Sequence, residues 1–192
     1  MRGRGTWAFG IAGLLLGVLS RVEEIVPGFT AGISSDGAWM LAAFVAGACS
    51  PVAGGVRPAA AGALVLTAAN GGYYLWIVVL QPRLDPAAVA GPPGRWLLLG
   101  LVGGALFGLA GGVWHRQPRW RAAAALLPTG VLIADGAEAV RGGPPWPLIG
   151  LAAGVALALA SAPSGPRRWR QAAACGALVA VASTGVLEPL LP

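Results

Sequence analysis

Lysine is absent from this chain, histidine occurs once, and charged residues of all kinds make up only 10% of its 192 residues. A soluble domain carries roughly 25% charged residues to keep its surface wetted, so most of the outer surface here is not built to face water. Cysteine is scarce as well. Cys49 and Cys175 both lie inside apolar runs and read as packing residues, not as a disulfide or a metal pair. No zinc-ligand spacing, phosphate-cradling glycine loop or Ser/His/Asp hydrolase pattern occurs, so no metal and no cofactor is implied. The alternating apolar pattern of a membrane barrel is also missing.

What remains is apolar length. Hydrophobic residues make up 56% of the chain and its mean hydropathy is +0.72. The apolar runs fall at about 6–22, 38–56, 58–80, 95–114, 120–140, 146–162 and 170–190, each close to the ~20 residues that cross a bilayer as a helix. Breakers separate them: Gly91-Pro92-Pro93-Gly94, Gln117-Pro118, Gly142-Gly143-Pro144-Pro145 and Pro163-Ser164-Gly165-Pro166. Ser34, Ser35 and Asp36 offer N-caps before the second run. The expected fold is all-α, a polytopic helical bundle of about seven transmembrane helices. It occupies residues 1–192 as a single transmembrane domain in the cell membrane. The first run, behind Arg2 and Arg4, has the outline of a secretory leader cut after Ser20. Its Gly13 and Gly17, four residues apart, suit a retained packing helix instead.

Arginine sets the expected orientation. With the N-terminus inside, Arg2, Arg4, Arg57, Arg116, Arg119, Arg121, Arg167, Arg168 and Arg170 fall on the cytoplasmic side. Arg21, Arg83, Arg95 and Arg141 fall outside. Nine against four satisfies the positive-inside rule and places the C-terminus outside. The net charge of +6 therefore reads as a topology signal, with no nucleic-acid partner implied. All seven acids, Glu23, Glu24, Asp36, Asp85, Asp135, Glu138 and Glu188, lie toward the outer side.

Segments beginning at Trp39, Trp96 and Trp146 share one plan: a small-residue helix, a turn at arginine, and an alanine-rich return from Arg57, Arg121 or Arg170. This reads as one leading helix followed by three repeated hairpins, although helices rich in alanine and glycine also resemble one another by composition. The fourth run carries Gly100, Gly104, Gly108 and Gly112 at strict four-residue spacing. Such a face admits close backbone contact, either within one chain or between protomers of a homo-oligomer.

Chemistry is most readily placed at the outer ends of the odd-numbered helices. Asp135 and Glu138, three apart, share a helix face, as do Thr67, Asn70 and Tyr74. A carboxylate at bilayer depth costs ~2.5–3.5 kcal/mol on insertion scales, so it should face the interior and have a partner or a role. Glu23, Glu24, Glu138 and Glu188 also fit a plain water interface, with Arg21 and Arg141 as ion-pair partners. Tyr73, Tyr74 and Trp76 fit an aromatic belt.

The strings Trp39-Met40-Leu41-Ala42-Ala43-Phe44-Val45-Ala46-Gly47-Ala48, Ala61-Gly62-Ala63-Leu64-Val65-Leu66 and Gly72-Tyr73-Tyr74-Leu75 resemble a family of small, uncharacterised actinobacterial integral membrane proteins. The size, the seven runs and the intramembrane acids resemble small membrane-bound terpene cyclases of the drimane, indole-sesquiterpene and meroterpenoid type. No motif aligns position by position with those enzymes, and the Asp-rich motifs of soluble cyclases are absent. The second resemblance implies a membrane-embedded cyclase that protonates a prenyl chain and closes rings through a carbocation. Asp135 or Glu138 would be the acid, and Glu23 or Glu188 the base or the tuning group. Asn70, Tyr73, Tyr74, Trp76 and Trp146 would line the substrate. The implied partners are the lipid bilayer and a hydrophobic prenylated substrate. A small transporter using the same acids as a cation path, and a membrane scaffold without chemistry, are the alternatives.

Overall fold

A computed structural model describes residues 4–26, 33–50, 56–87 and 91–140, with side chains from residue 7 to residue 136 of these. Every regular element among the described residues is helical: α1 (Arg4–Ile25), α2 (Asp36–Cys49), α3 (Val56–Leu80), α4 (Pro93–Arg116), a 3-10 turn (Pro118–Trp120) and α5 (Arg121–Val140). The expected helices at 146–162 and 170–190, with Trp146 and Glu188, lie outside the described residues.

Local chemistry sets the boundaries. Ser35 caps α2, its hydroxyl accepting the Ala38 N–H at 3.2 Å. α4 opens on Pro93 in its first turn, where a missing N–H costs nothing. The expected second span, 38–56, is corrected: α2 stops at Cys49. Ser50 is extended (φ −62°, ψ 125°), the conformation imposed on a residue that precedes proline, here Pro51. At 14 residues, α2 is about 21 Å long, short of the ~30 Å hydrocarbon layer. α3 and α4, of 25 and 24 residues, are the two described helices long and apolar enough to cross a membrane.

Glycine decides how the helices pack. α1 runs parallel to α3: a Cβ on Gly13 would stand 2.8 Å from Ala68 Cβ, and one on Gly17 would stand 2.8 Å from the Tyr73 nitrogen. α4 runs antiparallel to α3. Gly100 faces Leu66 and Asn70, Gly104 lies on Gly62 and Ala63, and Gly108 and Gly112 lie on Pro58. The four-residue glycine stripe is thus covered by α3 of the same chain. Gly47 on α2 and Gly62 on α3 both meet the Gly108 backbone, so three helices converge where none carries a side chain. Around this seam the core is made of small residues, among them Ala43, Ala46, Ala61 and Ala110, filled out by Phe44, Leu66 and Phe107.

Two hairpins of the expected repeat are present, α2/α3 and α4/α5. Trp39 and Trp96 each occupy the fourth position of their helix. The hairpins are unequal, because Pro51 shortens α2 while α4 continues to Arg116. The pairing gives the bundle two chemically distinct ends. One gathers Ser20–Glu24, Ser34–Trp39, Gln81 and Asp135; the other gathers Ser50, Arg57, Arg116 and Arg121.

Candidate functional site

The short helix creates the polar site. Asp135 stands five residues before the end of α5 and reaches the first turn of α2, where Gly37 is buried between exposed Asp36 and half-buried Ala38. A helix start leaves backbone N–H groups without intrahelical partners, and inside a bundle these must be satisfied by side chains. Asp135 on α5 does this: its Oδ2 accepts the Gly37 N–H at 2.7 Å. Gly37 is buried, and a side chain there would run into the carboxylate, with Oδ2 2.5 Å from the Cβ position. Asp135 therefore acts as an acceptor at the positive end of a helix, a place that favours an anion.

The segment leading into α2 is held in the same way from α1. Glu23 is 8% exposed, and its Oε2 accepts the Ser34 N–H at 2.7 Å. Ser20 is buried. Its hydroxyl accepts the Trp39 indole N–H at 2.9 Å and lies within donating reach of the Leu16 carbonyl at 2.9 Å and the Ile33 carbonyl at 3.1 Å.

A charged cluster joins α1 to α3 beside it. Arg21, 7% exposed, donates through Nη1 to Glu24 Oε2 at 2.8 Å. Through Nε and Nη2 it also donates to Gln81 Oε1, at 3.1 and 2.9 Å. The Tyr73 hydroxyl donates to the same Glu24 oxygen at 2.6 Å, and the Arg21 guanidinium lies 5.7 Å from the Tyr73 ring centroid. A buried guanidinium needs this many partners because desolvating an unpaired charge is prohibitive. Its pairing with a more exposed glutamate contributes modestly to stability.

The other expected site residues divide. The Tyr74 hydroxyl donates to the Gly91 carbonyl at 3.0 Å, tying α3 to the turn before α4. Asn70 is buried and its Nδ2 donates to the Leu66 carbonyl at 3.0 Å within its own helix. The indole N–H of Trp76 and the hydroxyl of Thr67 are buried without a hydrogen-bond partner among the described residues. Glu138 belongs to the last turn of α5, and its side chain lies outside the described ones. Tyr73 and Glu24 are brought together, as are Asp135 and the α2 start, while Asn70 stands apart from both groups. Sequence reasoning missed Gln81, Ser20 and the Trp39 indole as site members. Their signal was a polar residue at the edge of an apolar run, which periodicity alone does not single out. No group of three or more metal-ligating side chains occurs among the described residues.

These features define the class: an all-helical bundle assembled on glycine contacts, with two helices of membrane-crossing length. The chain belongs to a family of unknown function, DUF6518, whose model matches residues 5–187. No curated protein and no solved structure matches it. The family assignment accords with the resemblance to an uncharacterised family and is silent on terpene cyclisation.

Proposed function

We propose that this chain is an integral membrane protein of seven membrane-embedded helices, α2 being too short to cross the hydrocarbon layer by itself, with the N-terminus inside and the C-terminus outside, and that it serves in the bilayer as a non-catalytic scaffold. The membrane reading draws on the flanks of the helices. Ile11 and Leu15 on α1, Leu75, Val78 and Val79 on α3, and Leu98, Leu101, Val102 and Leu106 on α4 are each more than half exposed. Single exposed leucines are ordinary, but apolar flanks on three neighbouring helices suit lipid far better than water. Arg57, Arg116, Arg119 and Arg121 at one end then mark the cytoplasmic side.

One observation carries the scaffold reading: Glu23, Glu24 and Asp135 each accept a hydrogen bond from a neighbouring helix or its lead-in segment. Carboxylates engaged in this way hold helix ends in register. A second reading, the protonation-initiated cyclase, has one feature in its favour. Tyr73, Tyr74 and Trp76 lie on the half of α3 nearest these acids, and the Trp76 N–H has no partner among the described residues. In that reading Asp135 or Glu138 donates the proton.

Incubating membranes that contain the protein with prenylated acceptors, and looking for a product of unchanged mass, separates the two. The scaffold reading expects no product from wild type, and Asp135→Asn to act on stability alone. A cyclised product that disappears in Asp135→Asn at full folded yield would replace it with the cyclase.

A further inference from the structure

The end of the bundle opposite the carboxylates is lined by arginine. Arg57, Arg119 and Arg121 are exposed there and Arg116 is half-buried. Two of these guanidinium groups are fixed by the fold. Arg116 donates to the Ser50 carbonyl and lies against Gly112, which itself packs on Pro58; this places Arg116 where α2 ends and α3 begins. Arg121 donates through Nε to the Trp114 carbonyl at 3.1 Å and its guanidinium lies 5.6 Å from the Trp114 ring centroid. Arg57 and Arg119 have no hydrogen bond or ion pair among the described residues. No carboxylate lies in the described sequence from Cys49 to Arg57 or from Val113 to Arg121. The N-terminal turns of α3 and α5 open at this end and add to its positive field. Trp120, 52% exposed, lies among the arginines, an amphipathic ring of the kind that settles at headgroup depth.

We propose that this end binds the phosphodiester headgroups of acidic phospholipids in the adjoining leaflet through Arg57, Arg119 and Arg121. The inference rests on the membrane reading above. Arginine suits the task because its planar fork donates two parallel hydrogen bonds to a phosphate. A lipid is favoured over a free anion because exposed apolar side chains adjoin the guanidinium groups, Val56 next to Arg57 and Trp120 between Arg119 and Arg121, so one ligand satisfies both surfaces.

The test uses the full chain reconstituted in vesicles of phosphatidylcholine, with or without a minor fraction of spin-labelled phosphatidylglycerol. Wild type should hold phosphatidylglycerol in preference to spin-labelled phosphatidylcholine. The preference should fall by about fivefold for each of Arg57→Gln, Arg119→Gln and Arg121→Gln and reach parity when all three are combined. Arg83→Gln with Arg95→Gln, at the opposite end, should leave it unchanged. Equal retention of both lipids by wild type, or an equal loss in the Arg83/Arg95 pair, would overturn the proposal. So would displacement of the lipid by inorganic phosphate alone, which would reassign the site to a free anion. Failure to insert into either vesicle would overturn the membrane reading itself, a result distinct from insertion without lipid preference.

Discussion

Replacing Gly104 by alanine puts a methyl group 2.6 Å from the Gly62 carbonyl oxygen and 2.8 Å from Ala63 Cα. Carbon contacts settle at about 3.5–4.0 Å, so α3 and α4 must part by roughly 1 Å along the seam. Overpacking of this kind costs about 1–3 kcal/mol. Both obstructing atoms are backbone and have no rotamer to escape into, which favours the upper end. Alanine returns up to about 1 kcal/mol through helix propensity, for a net loss of about 2 kcal/mol. Gly71, on the open side of α3, is the control: a Cβ there meets nothing within 4 Å, and Gly71→Ala should gain up to about 1 kcal/mol. The assay is unfolding in mixed micelles by titration with SDS, followed by tryptophan fluorescence. A Gly104→Ala protein as stable as Gly71→Ala would remove the seam from the account.

The same assay reads the polar end. Asp135→Ala leaves the buried Gly37 N–H without this acceptor and should cost about 1–3 kcal/mol, whereas Asp135→Asn, whose amide oxygen still accepts, should cost distinctly less; equal losses would mean the Gly37 contact is not what matters. Tyr73→Phe deletes the bond to Glu24 and should cost about 1 kcal/mol, with the loss absent in a Glu24→Ala background, which has no acceptor; an undiminished loss there would show that the two residues do not act as a pair. Ser20→Ala leaves the Trp39 N–H without its acceptor and should cost about 1–3 kcal/mol, more than Trp39→Phe, which removes the donor; the reverse order would contradict the geometry.

Much of this was legible from residue pattern alone. The strict spacing of Gly100, Gly104, Gly108 and Gly112 announced a contact face, because in a helix only residues three or four apart share a side. What the stripe touches was not legible, since Gly62 and Gly47 occur singly and their role appears only when α3 and α2 lie against α4. The start of α2 followed from Ser35, but its end did not follow from hydropathy, which ran on through Pro51 while the backbone at Ser50 had already left the helix. The depth of Asp135 was readable as one turn below Glu138. The reason for that depth was not, because the need it meets belongs to Gly37, 98 residues away. Tyr73 and Glu24 were each singled out, yet the bond between them depends on α1 and α3 running parallel, which no local pattern encodes.

Reporter fusions follow the threading of the chain through a membrane. A reporter active only outside the cytoplasm, fused after Asp85 between α3 and α4, should be active; fused after Gln117 between α4 and α5, it should be silent. The alternation follows from the antiparallel packing of α3 and α4 and from the arginines at 116, 119 and 121. Activity at Gln117 with silence at Asp85 would invert the orientation, and the same result at both positions would show that α4 does not cross.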